Sequence, residues 1–280
     1  MTRIILGDCL DVMRDMQSDS VDLVFCSPPY EAARTYGIEF NLRGDDWVQW
    51  SVARYVECVR VCSGLVAWVV EGQTRSFQWS ATPALFMSEL HKAGVKLRKP
   101  PIYKRVGIPG SGGPDWLRND YEFIVCSSKG KLAWSDNTAT GHPPKFSPGG
   151  PPSHRLPDGS RVTGKLQTRR KADGERKKDG IYKPPAKANP GNVIACHGGG
   201  GHMGSKLAHE NEAPFPEKLA EAFVLSFCKP GGTVLDPFCG SGTTLAVASR
   251  NGREAIGIDV RESQTALTNR RLSESNQEAI

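Results

Sequence analysis

Along most of this chain short continuous apolar runs alternate with amphipathic stretches, a pattern that predicts strands and helices wound into an α/β sheet. Residues 3–6 read as a strand, Gly7-Asp8 as the turn after it, and Asp8 as the cap of a short helix over 9–16. Ser18-Asp19-Ser20 ends that helix, and residues 21–26 form an apolar strand interrupted only by Asp22. Residues 46–62 have helical spacing, with Trp47, Trp50, Val52 and Val56 near one face. Residues 65–70 read as a buried strand, 84–93 as a helix, and 102–106 and 121–126 as further strands. Between the last two lies a loop of glycine and proline over 107–114. The alternation returns with a helix over 216–227, which carries proline in its first turn. A strand over 233–235, a helix over 243–249, a strand over 255–258 and a helix over 262–272 complete it.

From about residue 141 to 191 the pattern disappears, and Pro, Gly, Lys and Arg dominate. So long a stretch without periodicity inside a compact domain is either functional or disordered. The run Gly198 to Gly201 reads as a hinge or as a point of close backbone contact. Charge sharpens this division. The 280-residue chain carries a formal +6, yet residues 131–206 alone hold 14 Lys+Arg against 5 Asp+Glu, a net +9 that leaves −3 for the rest. A basic block on a near-neutral body points to a polyanionic partner, against the plainer alternative of a solvated insert.

Hydrophobic residues make up 38% of the chain, enough for a real core with part of the chain left in solvent. The eight cysteines lie scattered, mostly inside apolar runs, and form no Cys-x-x-Cys pair. This is the usage of a reduced, cytoplasmic protein. Cys196, His197, His202 and His209 fit no standard zinc spacing, so no metal is expected. No signal peptide opens the chain, and no apolar run approaches the roughly 20 residues that cross a bilayer, so no membrane partner is expected either.

Two short motifs carry the chemistry. Ser27-Pro28-Pro29-Tyr30 follows a strand directly, and ligands of open α/β sheets bind at the carboxyl ends of strands. Asp236-Pro237-Phe238-Cys239-Gly240-Ser241-Gly242-Thr243-Thr244 is a strand end, a Gly-x-Gly turn and a helix start, the arrangement that brings backbone close to a nucleotide. The turn lacks the lysine of a phosphate-binding P-loop, which excludes an NTPase, and the full G-x-G-x-x-G of an NAD site. Asp259 closes the next strand, about 20 residues on, where an acid can hold ribose hydroxyls.

Together these segments resemble the β-class of S-adenosylmethionine-dependent amino-DNA methyltransferases, in which the catalytic motif precedes the cofactor motif. The resemblance covers residues 3–30 and about 207–272, with a weaker match at 116–130. It implies a Rossmann-like α/β methyltransferase with a wound, mostly parallel sheet, a circularly permuted motif order and an inserted loop-rich basic region. The halves would be a catalytic one over 1–130 and a cofactor-binding one over 207–280. The insert over 131–206 would be the target-recognition region, partly disordered without DNA. S-adenosyl-L-methionine is the implied cofactor. Gly7-Asp8-Cys9-Leu10 matches the segment at its adenine, with Asp8 the contact and Cys9 beside it. The segment 213–219, with Phe215, matches the border of its methionine end. Asp236, Phe238, Gly240, Ser241, Gly242 and Thr243 match the main cofactor loop, and Asp259 the ribose-binding acid. His209 stands further from Pro214 than the family's His-Pro-Ala-Pro-Phe-Pro spacing, so it receives no role.

An exocyclic amine on a nucleobase is a poor nucleophile because its lone pair is delocalised into the ring. Accepting hydrogen bonds from its two N–H groups favours a more tetrahedral nitrogen, and Ser27 Oγ and the Pro28 carbonyl are suitable acceptors. The prolines, Pro28 and Pro29, stiffen the loop and pre-aim those acceptors. Tyr30 offers a face on which a flipped base can stack. In the family, serine at the first position goes mostly with cytosine N4, and Asp or Asn mostly with adenine N6. Ser27 therefore favours cytosine N4, with adenine N6 as the alternative. Carbon-5 methylation needs a nucleophilic cysteine beside a proline in the catalytic loop. Cys26 precedes that loop and Cys239 belongs to the cofactor turn.

The segment 116–122 resembles the opening of the family's base-pocket strand, which makes Arg118, Asn119 and Glu122 candidate pocket residues. Glu122 can equally cap or pair locally. DNA phosphates would be held by Arg118, Arg169, Arg170, Lys171, Lys177 and Lys178, giving salt-dependent affinity. Arg169, Arg170, Asn189 and Asn192 are candidates for base edges. The implied partners are DNA and a restriction endonuclease, with the protein a monomer or a homodimer. Methyltransferases of RNA or of protein glutamine also use Pro-Pro-Tyr pockets, but usually place the cofactor loop first. A DNA-binding module that kept only the fold would show damage in one of the two motifs, and neither is damaged.

Overall fold

Both faces of a central sheet are covered by helices, as continuous apolar strands require. The computed structural model describes residues 2–32, 40–107, 113–144, 153–156, 158–163, 186–198 and 203–277. The first strands and helices are β1 (Thr2–Leu6), α1 (Cys9–Arg14), β2 (Val21–Cys26), α2 (Gly44–Val61) and β3 (Cys62–Val70). A small hairpin of β4 (Thr74–Arg75) and β5 (Gln78–Trp79) precedes α3 (Thr82–Lys92), β6 (Ile102–Val106) and β7 (Tyr121–Ser127). Then come β8 (Ser153–Arg155), β9 (Arg161–Thr163) and β10 (Val193–His197). A 3-10 turn (Lys206–Glu210) leads into α4 (Glu217–Phe227), β11 (Thr233–Asp236), α5 (Thr243–Arg250), β12 (Glu254–Asp259) and α6 (Glu262–Gln277).

Two units result. Met1–Thr140 with Gly191–Ile280 forms one, and Gly141–Pro190 the other. In the second, β8 and β9 pair antiparallel, and an isolated bridge joins His142 to Ala188. The first holds an eight-stranded sheet in the order β1-β12-β11-β2-β3-β7-β6-β10. Only β7 runs against its neighbours; the other contacts in the sheet are parallel.

Alternation along β3 divides the core. Val66, Trp68 and Val70 pack with Trp47, Tyr55 and Phe86 of α2 and α3 on one face. Leu65, Ala67 and Val69 pack with Leu219 and Phe223 of α4 and Leu245 of α5 on the other. Asp22, the one polar residue in β2, accepts from Thr233 N at 2.9 Å and pairs with Lys229 at 3.0 Å.

From the central pair of β2 and β11 the sheet continues to β3 on one side and through β12 to β1 on the other. A crevice at the carboxyl ends of two such strands is where doubly wound sheets hold ligands. Antiparallel β7 brings its amino end, with Glu122, to that same edge.

Two features lie outside the elements expected from the sequence. β10 continues the sheet beyond β6, although it follows the stretch without periodicity. The β4–β5 hairpin is polar except for Phe77 and Trp79, and its turn residues Ser76 and Phe77 have φ of 47° and 64°. Left-handed backbone costs a non-glycine residue roughly 1–2 kcal/mol.

Candidate active site

A cavity of about 680 Å³ opens at the carboxyl edge, and both motifs line it. Its lining includes Ser27, Pro28, Pro29 and Tyr30 after β2, and Phe238, Gly240, Ser241 and Thr243 after β11. Asp8, Cys9, Phe215 and Asp259 line it too. Asp236 and Gly242 do not; they form the layer beneath.

At the glycine turn, left-handed backbone and close packing explain the sequence. Gly240 and Gly242 have φ of 49° and 76°. A Cβ on Gly240 would stand 2.5 Å from Asn211 Nδ2, and one on Gly242 2.6 Å from Thr268 Cγ2. Beneath the turn, Asp236 is buried and accepts from Phe238 N at 3.0 Å. Burial pushes its carboxyl up to about 7, the hydrogen bonds of Thr244 and Phe238 counter this, and nearby Asp259 adds to it. Asp259 Oδ2 accepts from Gly240 N at 3.0 Å, and Oδ1 from Arg261 N at 2.9 Å. Each carboxylate oxygen accepts about two bonds, so Asp259 keeps capacity for a hydroxyl in the cavity it lines.

Arg271 holds this turn from below. It is 1% exposed and donates to Thr243 Oγ1 at 2.9 Å and to the Ser241 carbonyl at 3.2 Å. Its other arm reaches Glu217 Oε1 at 2.7 Å, tying α6, α4 and the turn together.

Beside the turn stands an aromatic slot. Trp50 meets Phe40 with ring centroids 5.0 Å apart and Phe238 at 5.7 Å. The Arg54 guanidinium lies 4.1 Å from the centre of the Trp50 ring and pairs with Asp8 at 2.7 Å. Asp8 also caps α1 through Leu10 N at 2.7 Å, so its carboxylate already serves two structural contacts. Cys9 is buried and its thiol is pushed up to about 12, mainly by burial.

At the other end of the cavity a chain of hydrogen bonds leads away from Ser27. Ser27 Oγ lies 3.3 Å from Tyr30 Oη, to which it can donate, with the Val69 carbonyl at 3.4 Å as an alternative acceptor. Tyr30 Oη donates to Glu122 Oε2 at 2.7 Å, and Arg105 stands 3.4 Å from Glu122 Oε1. Glu122 thus both lines the cavity and pairs locally. A hydroxyl has one hydrogen and two lone pairs, so Ser27 keeps acceptor capacity toward the cavity. Trp47 Nε1 fixes the loop through the Pro29 carbonyl at 2.8 Å.

Glu31, next in sequence, is 3% exposed and receives Gly44 N at 3.0 Å, Gln73 N at 3.1 Å and Thr82 Oγ1 at 3.1 Å. Burial raises its carboxyl, but the hydrogen bonds from Ser80, Gly44, Gln73 and Thr82 outweigh this and hold it below its usual value. Its stabilising contribution is therefore complete at neutral pH and fades as pH falls through the carboxylate range. Glu31→Ala should cost about 3 kcal/mol, roughly 6–12 °C in Tm by calorimetry at pH 7. A Tm within about 2 °C of the parent would show that the loop is held without it.

Some expected positions lie elsewhere. Arg118 does not line the cavity; its guanidinium is 4.0 Å from Asp120. Asn119 does line it, whereas Asn189 and Asn192 do not. Arg169, Arg170, Lys171, Lys177, Lys178 and His202 fall outside the described residues. Among the described residues no helix is long and apolar enough to cross a membrane. Sequence reasoning missed Glu31, Phe40, Arg54 and Arg271, and it noted Trp50 only as part of a helix face.

The profile of a family described as DNA methylase matches residues 21–270. The chain is 31% identical over 278 residues to the orphan methyltransferase M.BamHII of Bacillus amyloliquefaciens, spanning 95% of this chain and 90% of that protein. It is 26% identical over 274 residues to the DNA adenine methyltransferase YhdJ of Escherichia coli (strain K12), spanning 96% and 82%. Its fold matches that of the PvuII DNA methyltransferase (cytosine-N4-specific) with a TM-score of 0.67 at 17% identity, over 99% of this chain and 92% of that one.

Proposed function

The chain belongs to the DNA methylase family, and on that footing we propose that it transfers a methyl group from S-adenosyl-L-methionine to the N4 amine of a flipped cytosine at a specific DNA site. The observation that carries this is Ser27, an acceptor at a strand's carboxyl end, in one cavity with a glycine turn and Asp259.

The cavity suits the cofactor chemically. Phe40, Trp50 and Phe238 offer a flat purine an aromatic surface, Asp259 can accept from a ribose hydroxyl, and acidic Asp236 lies under the turn. When bound, S-adenosylmethionine supplies an electrophilic methyl group on a positively charged sulfur. Ser27 Oγ and the Pro28 carbonyl accept the two N–H bonds of the amine, which localises its lone pair. A nitrogen that gains a methyl group must shed a proton, and the chain from Ser27 Oγ through Tyr30 Oη to the Glu122 carboxylate is the path by which it leaves. Tyr30 and Glu122 keep Ser27's own hydrogen turned away, leaving its lone pairs toward that nitrogen. The thiols argue for an amine over ring carbon. Burial holds those of Cys26 and Cys239 well above their usual range, far from nucleophilic thiolates.

Cytosine N4 rests on Ser27. Adenine N6 is the second reading, favoured by the likeness to YhdJ, a DNA adenine methyltransferase. Incubation with labelled S-adenosylmethionine and mixed DNA, followed by digestion to nucleosides, decides between them. Label in N4-methyldeoxycytidine is expected. Label only in N6-methyldeoxyadenosine overturns the base assignment, and unlabelled DNA overturns the proposal.

Asp236 makes cofactor binding pH-dependent. With its carboxyl near 7, the group is partly protonated in the free protein at neutral pH. A ligand carrying ammonium and sulfonium charges favours the ionised form, so affinity should weaken as pH falls below about 7, approaching tenfold per pH unit. Calorimetric titration between about pH 5.5 and 8 checks this. A flat Kd would mean that the carboxylate does not sense the cofactor's charge.

A further inference from the structure

The β4–β5 hairpin takes no part in the site above, yet it is built in an unusual way. Both residues of its two-residue turn, Ser76 and Phe77, have positive φ, a conformation usually filled by Asn-Gly or Asp-Gly. A bulky residue there is an outlier, and outliers persist only where their surroundings hold them. Here the surroundings do. Ser80 N bonds the Gln73 carbonyl at 2.8 Å, Gln73 N reaches Glu31, and Trp79 Nε1 donates to Glu71 Oε1 at 3.0 Å. Trp79 also meets Phe123 at 6.3 Å. The product of this bracing is a bare side chain: Phe77 is 76% exposed and makes no ring contact among the described residues.

The bracket is fastened to the base end of the cavity. Glu71, which receives Trp79, lines that cavity together with Tyr30 and Glu122. Phe77 lies two residues beyond Trp79, about 7 Å of strand, with exposed Arg75 beside it.

We propose that Phe77 is a wedge that enters the stack of duplex DNA at the gap left by the flipped base, with Arg75 on a flanking phosphate. The inference rests on the DNA-methyltransferase reading above. Extruding a base breaks its stacking on both neighbours. An apolar side chain inserted between base steps is a recurrent way of occupying such a gap. A wedge must be rigid, apolar, exposed and close to the pocket, and Phe77 meets each condition.

The test compares two oligonucleotide duplexes carrying the methylated site, read beforehand by sequencing DNA methylated by the wild-type protein. One is fully paired, and in the other the target base is mispaired and so already easy to extrude. Phe77→Ala should lower kcat/KM on the paired duplex by roughly tenfold or more, and on the mispaired duplex by no more than about twofold. Phe77→Leu should recover most of the loss. Equal losses on both duplexes would assign Phe77 a merely structural role, and no loss on the paired duplex would remove the wedge. A wild-type protein that methylates no DNA overturns the underlying reading, and the wedge with it.

Discussion

Ser27→Ala should reduce kcat by roughly 10²–10³-fold while cofactor affinity and DNA affinity stay close to those of the parent. The substitution removes one atom, the acceptor that the proposed mechanism assigns to the amine. Among the described residues the serine hydroxyl bonds Tyr30 and the Val69 carbonyl, at 3.3 and 3.4 Å, so the loop around it has no reason to move. The Pro29 carbonyl stays pinned by Trp47. Loss confined to kcat marks an interaction made in the transition state, whereas a rise in KM alone marks ordinary binding. Single-turnover methylation separates the two, and a loss appearing wholly as weaker binding would remove Ser27 from the chemistry. Tyr30→Phe should cost less, since Ser27 keeps the Val69 carbonyl as an acceptor.

Asp236→Ala should raise the Kd for S-adenosylmethionine by about 30–1000-fold, or 2–4 kcal/mol, with DNA binding largely retained. The carboxylate supplies the negative charge below the turn and anchors Phe238 N, hence one wall of the aromatic slot. Asp236→Asn separates those jobs, because the amide keeps an oxygen for Phe238 but carries no charge. It should bind cofactor weakly at every pH and lose the dependence near pH 7. Calorimetry reads the cofactor and gel shift the DNA. Equal loss of both would mean that the two ends of the cavity do not act separately.

The framework of strands was legible because buried strands write themselves as apolar runs. Residues 21–26 and 102–106 were read with their true limits, and most other elements within one to three residues. β3 was shortened because α2 passes directly into it at Cys62, with no turn residue between. The hairpin carrying Phe77 was unread because hydrogen bonds rather than periodicity define it, and strand β10 because its short apolar run, residues 193–196, follows directly on the stretch without a pattern. In the cavity, short motifs pointed to Ser27, Asp236 and Asp259, since each sits at a strand end that the pattern exposes. Arg54, Glu31 and Arg271 were invisible for a physical reason. Their partners Asp8, Gln73 and Glu217 lie 46, 42 and 54 residues away, and only folding brings them together. Glu122 shows the limit from the other side: its type suggested either a base pocket or a local pair, and the fold sets it in the cavity lining with Tyr30 and Arg105 as partners.

Asp22 and Thr233, bonded across the centre of the sheet, are 211 residues apart in the chain. β2 and β11 therefore close a long loop at the middle of the sheet, and they do so beneath the cavity. Sheets dominated by such distant pairings form slowly, because the entropy of closure is spent before the contacts reward it. The glycine turn thus joins the serine loop only when this long loop closes. A chain halted before β11 would carry SPPY with β3 beside it but no glycine turn, and would be inert rather than half-active. The order of the two motifs along the chain sets the timing of assembly: the cavity is completed late in folding.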